Sequence, residues 1–412
     1  MKNSILLSLL ICFCSVVFAN NMLVQNVTTT GNNAVNKTIQ VQFDISWDNS
    51  WRDDINWDAA WIFMKFKDAN GLWQHCKLNQ TGFTNGSGTA NTVQVTSDKV
   101  GSWLYRSAQG AGTFNTTGMQ LQWNYGLAGL NDVTGLEVRV FAVEMVYVPE
   151  GDYTIANNFR INSIYLQAPG NNFPVINNRL TPKLFYEYAY SEFDTIRING
   201  DAGIDTTNDG IIDVTTYPMG LNPFYFYRYD LSEQQYADFL NTLTETQISN
   251  LGIAGTNITL IGDQYFSSTP NLTCINATEN RFFAYADWCG MRPISFLEYN
   301  KACLGPFAAG NNEDNLNAGG SLFPPPPCFP CGPGPGYFIN PGTYYGLSSV
   351  NILPPIMKLN CYSFSELTGN GSLNNLGYTD VINWINNSAY FLDGINLGVY
   401  YNIGFRYVRS AE

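Results

Sequence analysis

Ligating oxygens and sulfurs gather at a few places in this chain, and each place suggests a chemistry. In Asp205-Thr-Thr-Asn-Asp-Gly-Ile-Ile-Asp213, Asp205, Thr207 and Asp209 alternate along a loop. Gly210 suits a sharp turn, Ile211 offers its carbonyl, and Asp213 follows, with Asp201 a further oxygen upstream. Hard oxygen donors in that order are what an EF-hand-like Ca²⁺ loop uses. The closing bidentate glutamate is missing, since Tyr217 and Pro218 lie near its place. The same residue types also build an ordinary Asp/Asn/Gly turn, so both readings stand.

Nine cysteines are present, and Cys12 and Cys14 lie in the N-terminal apolar run. The others are Cys76, Cys274, Cys289, Cys303, Cys328, Cys331 and Cys361. An exported chain permits disulfides, but an odd set leaves one thiol unpaired or intermolecular. All but Cys76 fall after residue 270, so any stapling belongs to the second half. Cys328-Phe-Pro-Cys331 sits among prolines at 323–336, which exclude helix and central strand and predict an exposed polyproline loop. A redox Cys-x-x-Cys needs a helix N-terminus to lower its thiolate pKa. Here the pair reads as a loop disulfide or two bridges, or as half a zinc site that Cys303 and Cys361 complete. The single histidine, His75, reads as a turn or strand-surface residue beside Cys76.

Four tryptophans and five aspartates crowd residues 43–61. Aromatics for sugar faces and carboxylates for hydroxyls describe a carbohydrate platform. The alternative is tryptophan packing in a β-core, with Asp and Asn capping turns.

The elements that must position these residues follow from composition and pattern. With 45% hydrophobic, 15% aromatic and only 13% charged residues in 412, the chain buries proper cores and is not disordered. Its net charge of −13 argues against nucleic acid or an anionic membrane as partner. The acidic residues are dispersed, as on a solvated surface. Lys2, the apolar run from Ile5 to Phe18 and Ala19-Asn20 describe a secretory signal peptide over 1–19, and no transmembrane segment is expected after its removal. Ten Asn-x-Ser/Thr sequons, among them Asn26, Asn79, Asn115, Asn271 and Asn370, fit surface exposure in a secreted or cell-surface protein.

Alternating Ile39, Val41, Phe43 and Ile45, with runs at Trp61–Phe66 and Val138–Val146, predict an antiparallel β-sandwich over 20–146. Loops such as Thr81–Thr89 separate its strands. Helices are predicted where capping boxes open them, at Ser232/Gln235 and at Ser295/Glu298. Tyr236, Phe239, Leu240 and Leu243 share a face of the first. A helix between them, over 279–289, ends at a left-handed Gly290.

Three segments carry a resemblance. Phe224 to Asn241, Ala286 to Ala302 and Gly404-Phe-Arg-Tyr-Val-Arg409, in that order, resemble the formylglycine-generating enzyme (sulfatase-modifying factor) family. Val146-Tyr-Val-Pro-Glu-Gly151 resembles its entry strand, and Phe43 to Trp61 resembles an N-terminal domain of exported bacterial members. The resemblance implies an all-β sandwich followed by an α+β, C-type-lectin-like domain over 147–412.

It also implies chemistry, which this chain lacks in part. Family oxidases hold copper between two C-terminal thiolates, yet residues 371–402 contain no cysteine and no Arg-Gly-Gly. A sister activity uses three iron-bound histidines, which one histidine cannot supply. The family's calcium-shaping motif survives as Glu366, with Ser363 in place of asparagine. Ligand binding is therefore expected, by the resemblance to lectin-like variable faces, at Trp384, Asn386, Tyr390, Tyr400, Tyr401 and Asn402. The reading is an exported, non-catalytic binding or adhesion protein for an extracellular glycan or protein, with Ca²⁺ as the candidate cofactor. A copper oxidase using displaced Cys303 and Cys361, and a structural surface component, are the alternatives.

Overall fold

The computed structural model describes residues 22–154, short strands between 159 and 176, most of 218–292, isolated positions to 302, and 407–411. The protein is β-rich, and among the described residues every strand pairing is antiparallel.

In the first half, β1 (Leu23–Asn33), β2 (Thr38–Arg52), β3 (Asp58–Lys67), β4 (Trp73–His75) and β5 (Ser87–Gly88) lead to β6 (Asn91–Val95), β7 (Gly101–Arg106), β8 (Gly110–Asn124) and β9 (Val138–Val148). Short pairs follow, β10 (Tyr153–Thr154) with β13 (Val175–Ile176), and β11 (Phe159–Ile161) with β12 (Ile164–Leu166). Then come β14 (Phe224–Tyr227), α1 (Glu233–Leu240), α2 (Glu245–Leu251), β15 (Ile258–Ile261), β16 (Gln264–Ser267), α3 (Glu279–Trp288) and β17 (Val408–Ser410).

Two sheets face one another. One has the order β1-β2-β8-β5; the other, β17-β14-β9-β3-β7-β6, carries β4 beside the end of β3. The expected alternation holds: Ile39, Val41, Phe43, Ile45 and Trp47 of β2 point inward against Ile62, Met64 and Phe66 of β3. The opposite face of the larger sheet buries Trp61, Phe63, Trp103 and Tyr225 beneath Tyr236, Phe239, Tyr285 and Trp288 of the helices. A strand covered on both faces needs a near-continuous apolar run, and Ala59-Ala-Trp-Ile-Phe-Met-Lys-Phe66 supplies one, broken only by Lys65.

The boundary expected after residue 146 falls inside β9, and the sheet continues across it. Residues 145–148 of β9 pair with β14, which pairs in turn with β17. First-half and second-half segments therefore share one hydrogen-bonded sheet.

Ser232 and Gln235 form the capping box predicted for α1. A second box, Thr244/Gln247, opens α2. At α3, Gly290 N donates to Asp287 O and Met291 N to Ala286 O, the paired bonds of a Schellman end. Gly290 has φ +69°, and a β-carbon there would lie 2.7 Å from Val100 Cγ1, so both backbone and space require glycine. Ser295 lies outside the described residues, and the Glu298 carboxylate meets Arg292 through bonds of 2.7 and 2.5 Å.

Three expectations need correction. His75 lies in a strand, as one reading had it, but is half-buried with both ring nitrogens out of solvent. The acidic residues are not all solvated: Asp58, Glu144, Glu233 and Glu298 are buried. Cys76, Cys274 and Cys289 are free, buried thiols, so no disulfide occurs among the described cysteines.

Candidate functional site: a cleft beside Trp288

In the tryptophan- and aspartate-rich stretch, packing prevails over a sugar platform. Trp47 is buried and stacked on Phe114 at 3.9 Å, and Trp61 is fully buried. Trp57 stacks on Tyr147 at 4.0 Å, and Arg52 covers its ring at 4.3 Å. Asp58 accepts from Trp47 Nε1 (2.6 Å), Ser50 Oγ (2.9 Å) and Trp51 N (3.0 Å). Asp53 caps the turn through the amides of Ile55 and Asn56.

Beside it, Arg228 pairs with Glu144 and stands 3.8 Å from Asp58. Two buried carboxylates thus share one guanidinium. Burial pushes Glu144 up to about 8 and Asp58 up to about 6, against the pull of Arg228 and of the bonds to Asp58. This cluster lines neither of the two described cavities. Its geometry fastens β2, β3, β9 and the segment after β14 together.

The other polar cluster is different. Lys65 and His75 are register partners across β3 and β4, so their side chains rise from the same face of the sheet. That face also carries Phe63, and the helices cover it. Between β4 and helices α1 and α3 lies a cleft of about 740 Å³. Lys65, Trp73, His75, Lys77, Asp287 and Trp288 line it, with Thr242, Gln247, Asn70 and Gln74 as further polar positions and Leu72, Leu130 and Phe239 as apolar ones.

The indole of Trp288 is fixed from several sides. Phe63 meets it at 5.0 Å, Phe141 at 4.8 Å and Phe239 at 5.5 Å, all edge-on. The turn that ends α3 is pinned as well, because Trp61 Nε1 donates to Cys289 O at 2.8 Å. Arg409, the last residue of the C-terminal motif, donates to Gly290 O and, at 2.6 Å, to Asp98. Its guanidinium lies 4.3 Å over Trp61. A rigid wall results.

Lys65 is 4% exposed. Its Nζ makes no hydrogen bond or ion pair to a described residue and sits 5.7 Å from the Trp288 ring centre. Burial pulls its pKa down to about 8, while Asp287, Cys289 and Cys76 oppose the shift. Burial also holds His75 well below the usual histidine range, and Lys65 and Lys77 add to the effect. The backbone of Asp287 favours protonation, yet neither ring nitrogen has a partner at hydrogen-bonding geometry. At neutral pH the cleft therefore offers an ammonium, a neutral imidazole and the unpartnered Trp288 Nε1.

The nearby thiols do not form a pair. Cys76 belongs to the core between the sheets and Cys289 to the core under the helices. Burial raises both, Cys289 to about 12, so each is a neutral thiol. No group of three or more His, Cys, Asp or Glu converges as a metal-ligand set among the described residues.

The residues predicted from sequence fall elsewhere. Asp205, Thr207, Asp209, Ile211 and Asp213, Glu366, Cys303, Cys328, Cys331 and Cys361, and Trp384, Asn386, Tyr390, Tyr400, Tyr401 and Asn402 lie outside the described residues. Sequence reasoning missed Lys65, although a signal was present: a lysine inside a strand whose apolar run implies burial on both faces. His75 had no such signal, because β4 is three residues long and only its register with β3 turns it inward. No described helix is long and apolar enough to cross a membrane. Compared with known protein families, curated proteins and solved structures, the chain has no match.

Proposed function

We propose that this chain is an exported, non-catalytic binding protein of the secreted or cell-surface kind. Its β-rich frame presents a preformed cleft to an extracellular glycan or protein. The cleft carries this reading. It has the size of a small-ligand site and combines aromatic walls with a few converging polar groups. Its walls are held by the Arg409, Trp61 and Gly290 tethers rather than by loops alone. Preorganised walls of that kind lower the ordering cost of binding.

The finer assignments belong to the same proposal. They are a lectin-like, sulfatase-modifying-factor-like scaffold over 147–412, Ca²⁺ at Asp205–Asp213, and a second ligand face at Trp384–Asn402. Support for the scaffold is the order of the three family-like segments, two of which reach into the shared sheet as β14 and β17.

The test is an array of glycans and extracellular protein domains probed with residues 20–412. Saturable binding that competes with free ligand is expected. Conversion of a cysteine-containing peptide to an aldehyde by copper-loaded protein would overturn the non-catalytic reading. Isothermal titration with Ca²⁺ is expected to give heat in the wild type and none in Asp209→Ala; no heat in the wild type removes the calcium assignment.

A further inference from the structure

The cleft beside Trp288 contains a combination that folding alone does not explain. A lysine that is 4% exposed has no carboxylate within ion-pair distance among the described residues. Burying a charge without a partner is costly. Opposite it, both nitrogens of His75 are buried with no partner at hydrogen-bonding geometry, although the Asp287 backbone lies near, and Trp288 Nε1 is likewise unpartnered. A neutral imidazole always has one donor and one acceptor to satisfy. Orphan indole nitrogens also occur at Trp103 and Trp123, but those rings are fully buried and line neither described cavity. Among the described residues, His75 and Trp288 bring orphan ring nitrogens to the lining of the same cleft as Lys65.

The acidic residues of the cleft leave the lysine available. Asp68 Oδ1 accepts from the amides of Asn70 and Leu72, both at 2.9 Å, and so closes its own turn. Asp287 raises the Lys65 pKa, but no ion pair joins the two among the described contacts. Lys77 adds a second positive charge to the lining. The remaining walls offer amides and a hydroxyl (Gln74, Asn70, Gln247 and Thr242) beside Trp73, whose ring Arg139 covers at 4.5 Å, and the largely buried Trp288. Amides and hydroxyls against aromatic rings suit a polyhydroxylated ring, and an unpaired ammonium beside an imidazole suits a carboxylate.

We propose that this cleft binds an acidic sugar, a uronic-acid unit whose carboxylate sits between Lys65 Nζ and the His75 ring. The inference rests on reading the cleft as a ligand site and deepens it by naming the ligand class. Sugar hydroxyls meet Gln74, Asn70, Thr242 and Gln247, and the ring packs on indole.

His75 is the chain's single histidine, so untagged protein labelled with ¹⁵N-histidine gives one imidazole to observe. D-glucuronate and D-galacturonate are titrated in parallel with D-glucose and D-galactose, and with benzoate. At least one uronate is expected to move both ring nitrogens saturably, the neutral hexoses not at all, and benzoate more weakly. Lys65→Met is expected to weaken uronate binding by about ten-fold or more, the loss of one charge-assisted hydrogen bond. Its melting temperature establishes that the variant is folded. Lys65→Arg is expected to retain part of the affinity.

Equal binding of acid and neutral sugars, benzoate binding as tightly as the uronates, unchanged affinity in Lys65→Met, or no response to either uronate overturns the inference. Array binding that survives Lys65→Met leaves the binding-protein reading intact while this assignment falls. Loss of all array binding in the wild type removes the broader reading instead.

Discussion

The two faces of the seven-stranded sheet bury charge in opposite ways. On the face toward the smaller sheet, Asp58 and Glu144 are buried, and each has named partners in Trp47, Ser50, Trp51 and Arg228. On the face toward the helices, Lys65 is buried with no ion pair to a described residue, and the buried ring nitrogens of half-buried His75 have no partner at hydrogen-bonding geometry. A satisfied buried cluster stabilises or specifies a fold. An unsatisfied one that faces a cavity costs stability, and such costs accumulate where function is carried. The contrast separates structure from site without any appeal to resemblance.

The largest expected effect breaks the satisfied face. Arg228→Met leaves the buried Asp58 carboxylate and its Glu144 neighbour without their cation, and is expected to cost about 3–5 kcal/mol in denaturant unfolding at pH 7. A loss below 1 kcal/mol would show the cluster to be hydrated and the contrast false.

The next sharpens the unsatisfied face. Lys65→Met is expected to stabilise the protein, by on the order of 3 kcal/mol at pH 7 before relaxation of the site. Lys65 titrates near 8 when folded, below its ordinary 10.5, so the folded state binds fewer protons between those values. The penalty is complete below about pH 8 and fades as pH rises toward 10.5, so the gap between variant and wild type should close over that window. Thermal unfolding at pH 7 and pH 10 measures it; a destabilised variant at pH 7 would mean that Lys65 is already satisfied.

Glu144→Gln tests the acid pair with a smaller change. Glu144 titrates near 8 when folded, above its ordinary 4.5, so its contribution is complete below 4.5 and lost as pH rises through about 8. The variant should flatten the fall in stability between pH 5 and 8. An unchanged slope would place the proton elsewhere. Smallest of all, Ser232→Ala removes the capping box of α1, which helps roof the helix face, and is expected to cost about 1 kcal/mol. Uronate affinity should not change in this variant, since Ser232 does not line the cleft.

Local patterns account for what was legible beforehand. Strand β2 shows its alternation, α1 its capping box and α3 its glycine stop, because each depends on residues a few positions apart. The anchor at Glu233 was not legible. Its carboxylate accepts from Thr256 N, Ser267 Oγ and Thr269 Oγ1, each at 2.8 Å, and fastens the β15–β16 hairpin to α1. Nothing near Glu233 in sequence announces partners more than twenty residues away. The sandwich was expected to end at 146, but its larger sheet continues through residues 224–227 to an edge strand at 408–410.

The sequence by itself determined a β-rich chain, the inward residues of β2, the capped start of α1, the glycine stop of α3, and a net negative charge. Those follow from local periodicity, capping chemistry and net charge, which need no knowledge of the fold. Only the tertiary structure decided that Lys65 and His75 share one cleft, that Asp58 and Glu144 share one arginine, and that the two halves share one sheet. Strand register and helix coverage set those contacts, and both are long-range properties that composition and spacing do not encode.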